Sequence, residues 1–250
     1  MTQIYVIGLG PGNTDQRTFE AQKALEEVTD IVGYGPYVER VDLPEHIRRH
    51  GSDNRVEIER AQHALRLAEE GRIVGVVSGG DAGVFGMASA LFEAIEYGDP
   101  QWRNIEITVI PGITAVLAAS ARIGAPLGAD FCVISLSDNL KPWDVVCRRV
   151  EMAAEAGFII ALYNPRSKSR PWQLGEAFGH LRPILPDETP VIFARAIGRE
   201  DERLTYTDLA HADAEEVDMS TLVLIGNEYT RIIERENGQA WVYTLRKVTH

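Results

Sequence analysis

The sequence predicts an α/β protein of two αβα domains with mostly parallel sheets. Three observations predict it. An apolar strand at residues 3–9 runs straight into a glycine-proline loop, Gly8 to Arg17 (GLGPGNTDQR). A second strand, 73–77, runs into another glycine loop, Gly79 to Gly86 (GGDAGVFG). Strand and helix patterns alternate through the first half, and the alternation starts again after a break at Gly124 to Gly128 (GAPLG).

Each element has its own signal. Residues 16–29 place Phe19, Ala21, Leu25 and Val28 near helical period. Residues 30–35 read as a short strand with a turn, and Pro36 and Pro44 break the next stretch. Residues 55–70 form an amphipathic helix closed by Gly71. After strand 73–77, a helix over 84–95 is stopped by Gly98, Asp99 and Pro100. Strand 105–110 leads into the turn Pro111 to Ala115 (PGITA) and a small-residue helix at 116–125. A boundary in this stretch gives domains 1–115 and 116–250. The second domain opens with strand 131–136, an acidic turn at 137–139 and a helix at 143–156. Strand 158–163 ends in the loop Asn164 to Pro171 (NPRSKSRP). Further strands lie at 190–194 and 222–225, and residues 240–248 alternate like an edge strand.

Composition narrows the function. A chain of 250 residues that is 45% hydrophobic can bury a large core. A net charge of -12 argues against binding nucleic acid or an anionic membrane, and an anionic small molecule would need locally gathered arginines. No apolar run approaches the ~20 residues of a membrane span, and the N-terminus lacks a secretory pattern, so the cytoplasm is the expected location. Cys132 and Cys147 form no CxxC and read as reduced thiols. His46, His50, His63, His180, His211 and His250 make no metal-ligand motif. His46 and His50 are four apart, but neighbouring Arg48 and Arg49 favour a charged surface. No metal site is expected.

The first loop is not a dinucleotide fingerprint. Gly8, Gly10 and Gly12 are spaced by two, and Pro11 and Asn13 do not open a helix at once. No Gly-Lys-Ser/Thr comes after it, which excludes a phosphate-binding P-loop. A plain structural turn stays open. In the second loop Gly79, Gly80, Gly83 and Gly86 surround Asp81. Missing Cβ atoms let backbone touch a ligand at a parallel strand's C-terminal end. Asp81 can accept from loop amides, help set a cationic ligand, or cap a helix beginning near Val84. Thr114 can cap a helix or offer its hydroxyl.

Gly8 to Gly12 (GLGPG), Val77 to Ala88 (VSGGDAGVFGMA) and Pro111 to Cys132 (PGITAVLAASARIGAPLGADFC) together resemble the tetrapyrrole (corrin/porphyrin) methyltransferases. Ile134 to Asp138, Leu162 to Ser167 (LYNPRS), Gly198 to Glu200 and Val223 to Asn227 (VLIGN) resemble the precorrin-3B C17-methyltransferase branch. The likeness runs from about residue 3 to 246. It departs at Gly79, where the branch usually has Ser, at Phe85, where it has Tyr, in the stretch 50–56, and at Thr244 to Lys247 (TLRK).

The resemblance implies a homodimeric S-adenosylmethionine enzyme of the tetrapyrrole methylase fold, with the cofactor in the interdomain cleft. It implies methylation of C17 of precorrin-3B with ring contraction to precorrin-4 in aerobic cobalamin synthesis. Cofactor contacts would come from Gly10, Pro11, Gly79, Gly80, Asp81, Val84, Thr114, Ala115, Asn164 and Gly198. Ring contraction wants proton transfer, for which Asp138, Asp81 and Arg199 are candidates. Asp138 also reads as an exposed turn residue, and Arg199 as a carboxylate clamp. The anionic tetrapyrrole would be met by Arg166, Lys168, Arg170 and Arg195, although 166–170 also reads as a solubilising loop. A cobalt-containing substrate, another tetrapyrrole position, and a non-catalytic ligand-binding protein remain alternatives.

Overall fold

The computed structural model describes residues 2–54, 56–236 and 239–247. Arg55 of the expected third helix, Val248 of the expected last strand, and His250 lie outside the described residues. The chain divides into two compact units, 1–114 and 115–250.

The first unit runs β1 (Gln3–Gly8), α1 (Phe19–Glu27), β2 (Asp30–Tyr34), α2 (Gly35–Arg40), β3 (Arg48–Ser52), α3 (Glu57–Glu69), β4 (Ile73–Ser78), α4 (Met87–Tyr97) and β5 (Glu106–Ile110). Its five strands are ordered β3-β2-β4-β1-β5, and every pairing is parallel. Strand period sorts the core into two faces. Ile4, Val6, Val32, Val74 and Val76 pack with Ala61, Leu65 and Leu91 of α3 and α4. Ile7, Ile31, Val77 and Ile110 pack with Ala21, Ala24 and Leu25 of α1 and with Val38. Helices on both faces of a parallel sheet complete an αβα sandwich.

Local differences from the sequence expectation have physical causes. Phe19, counted as apolar-facing, is 76% exposed, and the buried stripe of α1 is Ala21, Ala24 and Leu25. The stretch read as broken by Pro36 holds α2, because proline fits the first helical turn, where its missing N–H costs no bond. β3 has no apolar signature (RRHGS), as suits an edge strand. The third helix begins at Glu57 and the fourth at Met87, later than expected.

His50 is a further correction, since it is part-buried and bonded between Asp30 and His63. Its Nε2–H donates to Asp30 Oδ1 at 2.9 Å, and its Nδ1 lies 3.1 Å from His63 Nε2. A carboxylate only accepts, so Nε2 of His50 supplies the proton of the bond to Asp30. Asp30 is fully buried and also accepts from Thr29 Oγ1 at 2.8 Å. This chain ties β2, β3 and α3.

The second unit runs α5 (Ala115–Ile123), β6 (Gly124–Ala125), β7 (Phe131–Ser135), α6 (Trp143–Glu155), β8 (Ile159–Tyr163), α7 (Gln173–Leu181), β9 (Pro190–Arg195), β10 (Arg203–Asp208), β11 (Thr221–Ile225), β12 (Thr230–Glu234) and β13 (Ala240–Thr244). Its main sheet is ordered β10-β9-β11-β8-β7. Parallel pairings outnumber antiparallel ones across the described sheets, but here only β7–β8 is parallel. Helices α6 and α7 provide the crossovers that keep β7, β8 and β9 in one direction. β9 and β10 are joined by a short turn without a helix, which enforces an antiparallel pair. β11 then inserts between β8 and β9, antiparallel to both.

One face of this sheet packs on α6 and α7 through Val146, Val150, Leu174, Ala177, Phe178 and Leu181. Helix α7 was absent from the sequence expectation, since Gly175 and Gly179 lower helix propensity; its apolar spacing at 174, 177, 178 and 181 is nonetheless helical. The expected edge strand is not an edge, because β13 pairs with both β12 and β6. Both cysteines are free, and burial pushes the Cys132 thiol up to about 11, so it stays protonated at neutral pH.

Two outcomes test the packing and the histidine chain. Phe178, 1% exposed in the second core, should cost about 3–5 kcal/mol when cut to Ala, read from urea denaturation. Burial, then the charges of His50 and Arg66, hold His63 below its ordinary 6.5, against Glu70 and Asp30. The unfolded chain therefore takes up this proton first as pH falls, and the stability His63 contributes is present above about pH 6.5 and lost below it. His63→Gln should flatten the fall in urea midpoint between pH 7.5 and 5.5; an unchanged slope would contradict the assignment.

Candidate functional site

In the first unit the sequence-predicted residues gather at the C-terminal ends of β4, β1 and β5, adjacent in the sheet. The chain crosses over β1 between β4 and β5, the kind of switch point where open parallel sheets bind ligands. Backbone contact draws the three strand ends together. Gly10 N–H donates to Gly80 O at 3.0 Å, and Gly80 N–H donates back to Gly10 O at 2.8 Å. A Cβ on Gly112 would stand 2.2 Å from Gly80 O, and one on Gly8 would stand 2.6 Å from Gly112 N. Gly10 and Gly80 also have φ of +77° and +69°, which side chains disfavour.

Asp81 fastens the arrangement. Its Oδ1 accepts from Gly83 N at 2.7 Å and Val84 N at 3.0 Å, and its Oδ2 accepts from Gly112 N at 2.9 Å. The carboxylate thus closes its own loop and joins it to the loop after β5. Asp81 is not the cap of α4: Ser78 Oγ accepts from Met87 N, the first helical amide, at 3.0 Å. Gly10 is buried and pairs through both its backbone groups, so it shapes the loop rather than offering hydrogen bonds. Pro11, Gly79, Asp81 and Val84 are partly exposed, and Thr114 is buried. A Cβ on Gly79 would meet the Tyr37 ring at 2.7 Å, and the aromatic neighbour accounts for glycine there. Sequence reasoning missed Tyr37, because it lies in the stretch read as broken.

In the second unit, Asn164 takes a left-handed φ of +52°, which asparagine tolerates, and its Nδ2–H donates to Ser135 Oγ at 2.9 Å. Tyr163 Oη accepts from Val116 N at 2.9 Å, satisfying one of the free amides at the start of α5, where Ala115 lies. Asp138, beyond β7, is 3.4 Å from Gln173 Nε2 and 3.9 Å from Arg170 Nη1. The Arg170 Nε and Nη1 atoms and Gln173 Oε1 are buried without a hydrogen-bond partner. The structure therefore brings Asp138 and Arg170 together and adds Gln173, a residue of the unread helix.

The other cations differ from free clamps. Arg195 Nε pairs with Asp218 at 2.9 Å and its Nη1 with Asp201 at 2.7 Å, so its donors are held within the unit. Arg166 pairs with Glu215 and donates to Ala214 O. Lys168 is exposed. Gly198, at φ +79°, gives its N–H to Glu202 Oε2 at 2.9 Å, and Glu202 pairs with Arg122 at 2.7 Å. Gly198 thus belongs to a closed turn from Ala196 to Glu202 that also carries Arg199.

The clamp yields a direct outcome. Asp81→Ala removes three charge-assisted bonds, each contributing about 1.5–3 kcal/mol. Amide hydrogen exchange should accelerate at Gly83, Val84 and Gly112 together, while β1 and β4 stay protected. Acceleration at Gly83 and Val84 alone would show that the third loop is held some other way.

Comparison with known proteins identifies the family. The family model described as tetrapyrrole (corrin/porphyrin) methylases matches residues 3–213. The chain is 56% identical to precorrin-3B C(17)-methyltransferase of Sinorhizobium sp over 97% of its length and 96% of the relative's. It is 41% identical to a probable cobalt-factor III C(17)-methyltransferase of Salmonella typhimurium, covering 92% of this chain and 94% of that one. The crystal structure of the methyltransferase CobJ superposes with a TM-score of 0.92 at 50% identity, over 97% of this chain and 99% of that chain. The chain belongs to the tetrapyrrole (corrin/porphyrin) methylases.

Proposed function

We propose that the protein transfers a methyl group from S-adenosylmethionine to C17 of precorrin-3B, with ring contraction to precorrin-4, in aerobic cobalamin biosynthesis. The observation that carries this reading is the near full-length likeness to the Sinorhizobium precorrin-3B enzyme, at 56% identity. The Salmonella relative, at 41%, favours a second reading in which the substrate carries cobalt.

The residues fit the cofactor. Gly8, Gly80 and Gly112 bring three loops together main chain against main chain, and a bulky ligand can pack against the edge of such a side-chain-free junction. By the family resemblance, Pro11, Gly79, Gly80, Asp81, Val84, Thr114, Ala115 and Asn164 would hold the cofactor, and Gly10 and Gly198 would shape the loops that carry them. When bound, S-adenosylmethionine supplies a methyl group already activated on a sulfonium. The chain's own task is then to orient the acceptor and exclude water. Arg170 and Lys168 would take the substrate's carboxylates, and the paired Arg166 and Arg195 would contribute only by exchanging partners. Asp138, beside Gln173 and Arg170, is our choice to move the proton that ring contraction requires, with Asp81 and Arg199 the other candidates. Homodimeric assembly rests on the family resemblance, and a cytoplasmic location on the lack of a secretory pattern in the sequence; among the described residues no helix is long and apolar enough to cross a membrane.

The test incubates the enzyme with labelled S-adenosylmethionine and either precorrin-3B or its cobalt-loaded counterpart, and identifies products by mass and NMR. A methylated, ring-contracted product from the metal-free substrate is expected. Turnover of the cobalt-loaded substrate alone would select the second reading, and turnover of neither would return the protein to a ligand-binding role. Asp138→Asn should slow ring contraction by about 10²–10⁴-fold with cofactor affinity unchanged; unaltered contraction would remove Asp138 from the mechanism.

A further inference from the structure

Asp138, Arg170 and Gln173 lie beyond the C-terminal ends of β7 and β8, neighbouring parallel strands. Asp138 follows β7, Arg170 lies in the loop after β8, and Gln173 opens α7. Exposure rises outward through the group. Gln173 is 1% exposed, and the side chains of Arg170 and Asp138 are 12% and 28% exposed. Their polar atoms converge on one oxygen without bonding it tightly. Gln173 Nε2 stands 3.4 Å from Asp138 Oδ1, beyond the usual N–H···O range of about 2.7–3.2 Å. Arg170 Nη1 stands 3.9 Å from the same oxygen, too far for a hydrogen bond. Arg170 Nε, Arg170 Nη1 and Gln173 Oε1 are buried without a hydrogen-bond partner. An unpaired buried donor or acceptor is costly, so donors and an acceptor left together call for a shared partner.

We infer that this group binds one internal water molecule, through which Asp138 exchanges a proton with the substrate. The bonding pattern selects the occupant. Asp138 Oδ1 and Gln173 Oε1 only accept, and the guanidinium of Arg170 only donates. Reversing the Gln173 amide would set its oxygen against the carboxylate, so Oε1 stays the free acceptor. The occupant must then donate to Gln173 Oε1 and Asp138 Oδ1 and accept from Arg170, as water does. A carboxylate or phosphate in this position would face two acceptors. The distance agrees, because a water about 2.8 Å from each end spans a gap of 3.9 Å. Three of the water's four bonding positions are used, and the remaining lone pair is left for a substrate proton. As that proton arrives on the water, the water's own proton passes to Asp138 Oδ1, so the water is regenerated and the proton ends on the carboxylate. Gln173 is a positioning residue, since it acts through the water. The proton step rests on the function proposed above, whereas the water site rests on the three side chains alone.

The experiment is a high-resolution crystal structure of the wild-type enzyme beside Gln173→Leu and Gln173→Met, with thermal melts and kinetics on precorrin-3B. The wild type should show a water within about 2.6–3.2 Å of Gln173 Oε1, Asp138 Oδ1 and an Arg170 nitrogen. Both variants should lose that water. Their ring contraction should slow about tenfold or more, with KM for precorrin-3B within about twofold of wild type. Arg170 bonded directly to Asp138 with no water between them, or an anion in the water's position, overturns the inference. Wild-type contraction in a folded variant that lacks the water overturns the proton step. The wild-type density decides the water site even where neither variant folds. A wild-type enzyme that holds the water but turns over neither precorrin-3B nor its cobalt-loaded counterpart overturns the proposed function and the proton step together, and leaves the water site standing.

Discussion

The first unit depends on one carboxylate. Asp81 sits at the end of β4 and receives amides from its own loop and from the loop after β5. Without its bond to Gly112, the loop after β5 would be held to the other two by close glycine packing and the Thr18 Oγ1–Pro111 O bond at 3.3 Å. Hydrogen bonds to an ionised acceptor are stronger than neutral ones, so a single residue can set the spacing of two loops, while the backbone bonds between Gly10 and Gly80 hold the third. The glycines are the other half of the same constraint, since a methyl group at Gly112 would collide with the Gly80 carbonyl at 2.2 Å.

The second unit meets a similar requirement with different chemistry. Its strand ends are shaped by left-handed Asn164 and Ala196 and by side-chain ties such as Asn164–Ser135 and Tyr163–Val116. Its charged groups are mostly paired within the unit, including Arg166, Arg195 and Glu202. Arg170 stands apart, with two buried nitrogens lacking hydrogen-bond partners beside Asp138. That imbalance is why our proposal places the substrate's carboxylates at Arg170.

Much of this was legible in the sequence. Apolar runs ending in glycine located β1 and β4, and the glycine loops themselves marked the strand-end site. The local signal was weakest where tertiary context decides. β3 and β10 are polar strands that only their neighbours define. Helix α7 carries two glycines, so its apolar spacing was easy to pass over, and with it Gln173 went unread. The direction of β11 is set by where it inserts, which no local pattern encodes. Arg195 looked like a free clamp because its partners, Asp201 and Asp218, lie on separate turns. Asp81 was recognised as an acceptor of loop amides, but its reach to Gly112 spans 31 residues and needed the fold.

In our reading, apposed glycine backbones, fixed by Asp81, form the wall that holds S-adenosylmethionine. The decisive measurement is titration calorimetry of the cofactor against wild-type protein and Gly112→Ala. The added methyl group must push the Gly80 carbonyl away, so we expect a folded variant, verified by circular dichroism, whose affinity falls at least about tenfold. A folded Gly112→Ala protein that binds the cofactor as tightly as wild type would contradict this reading.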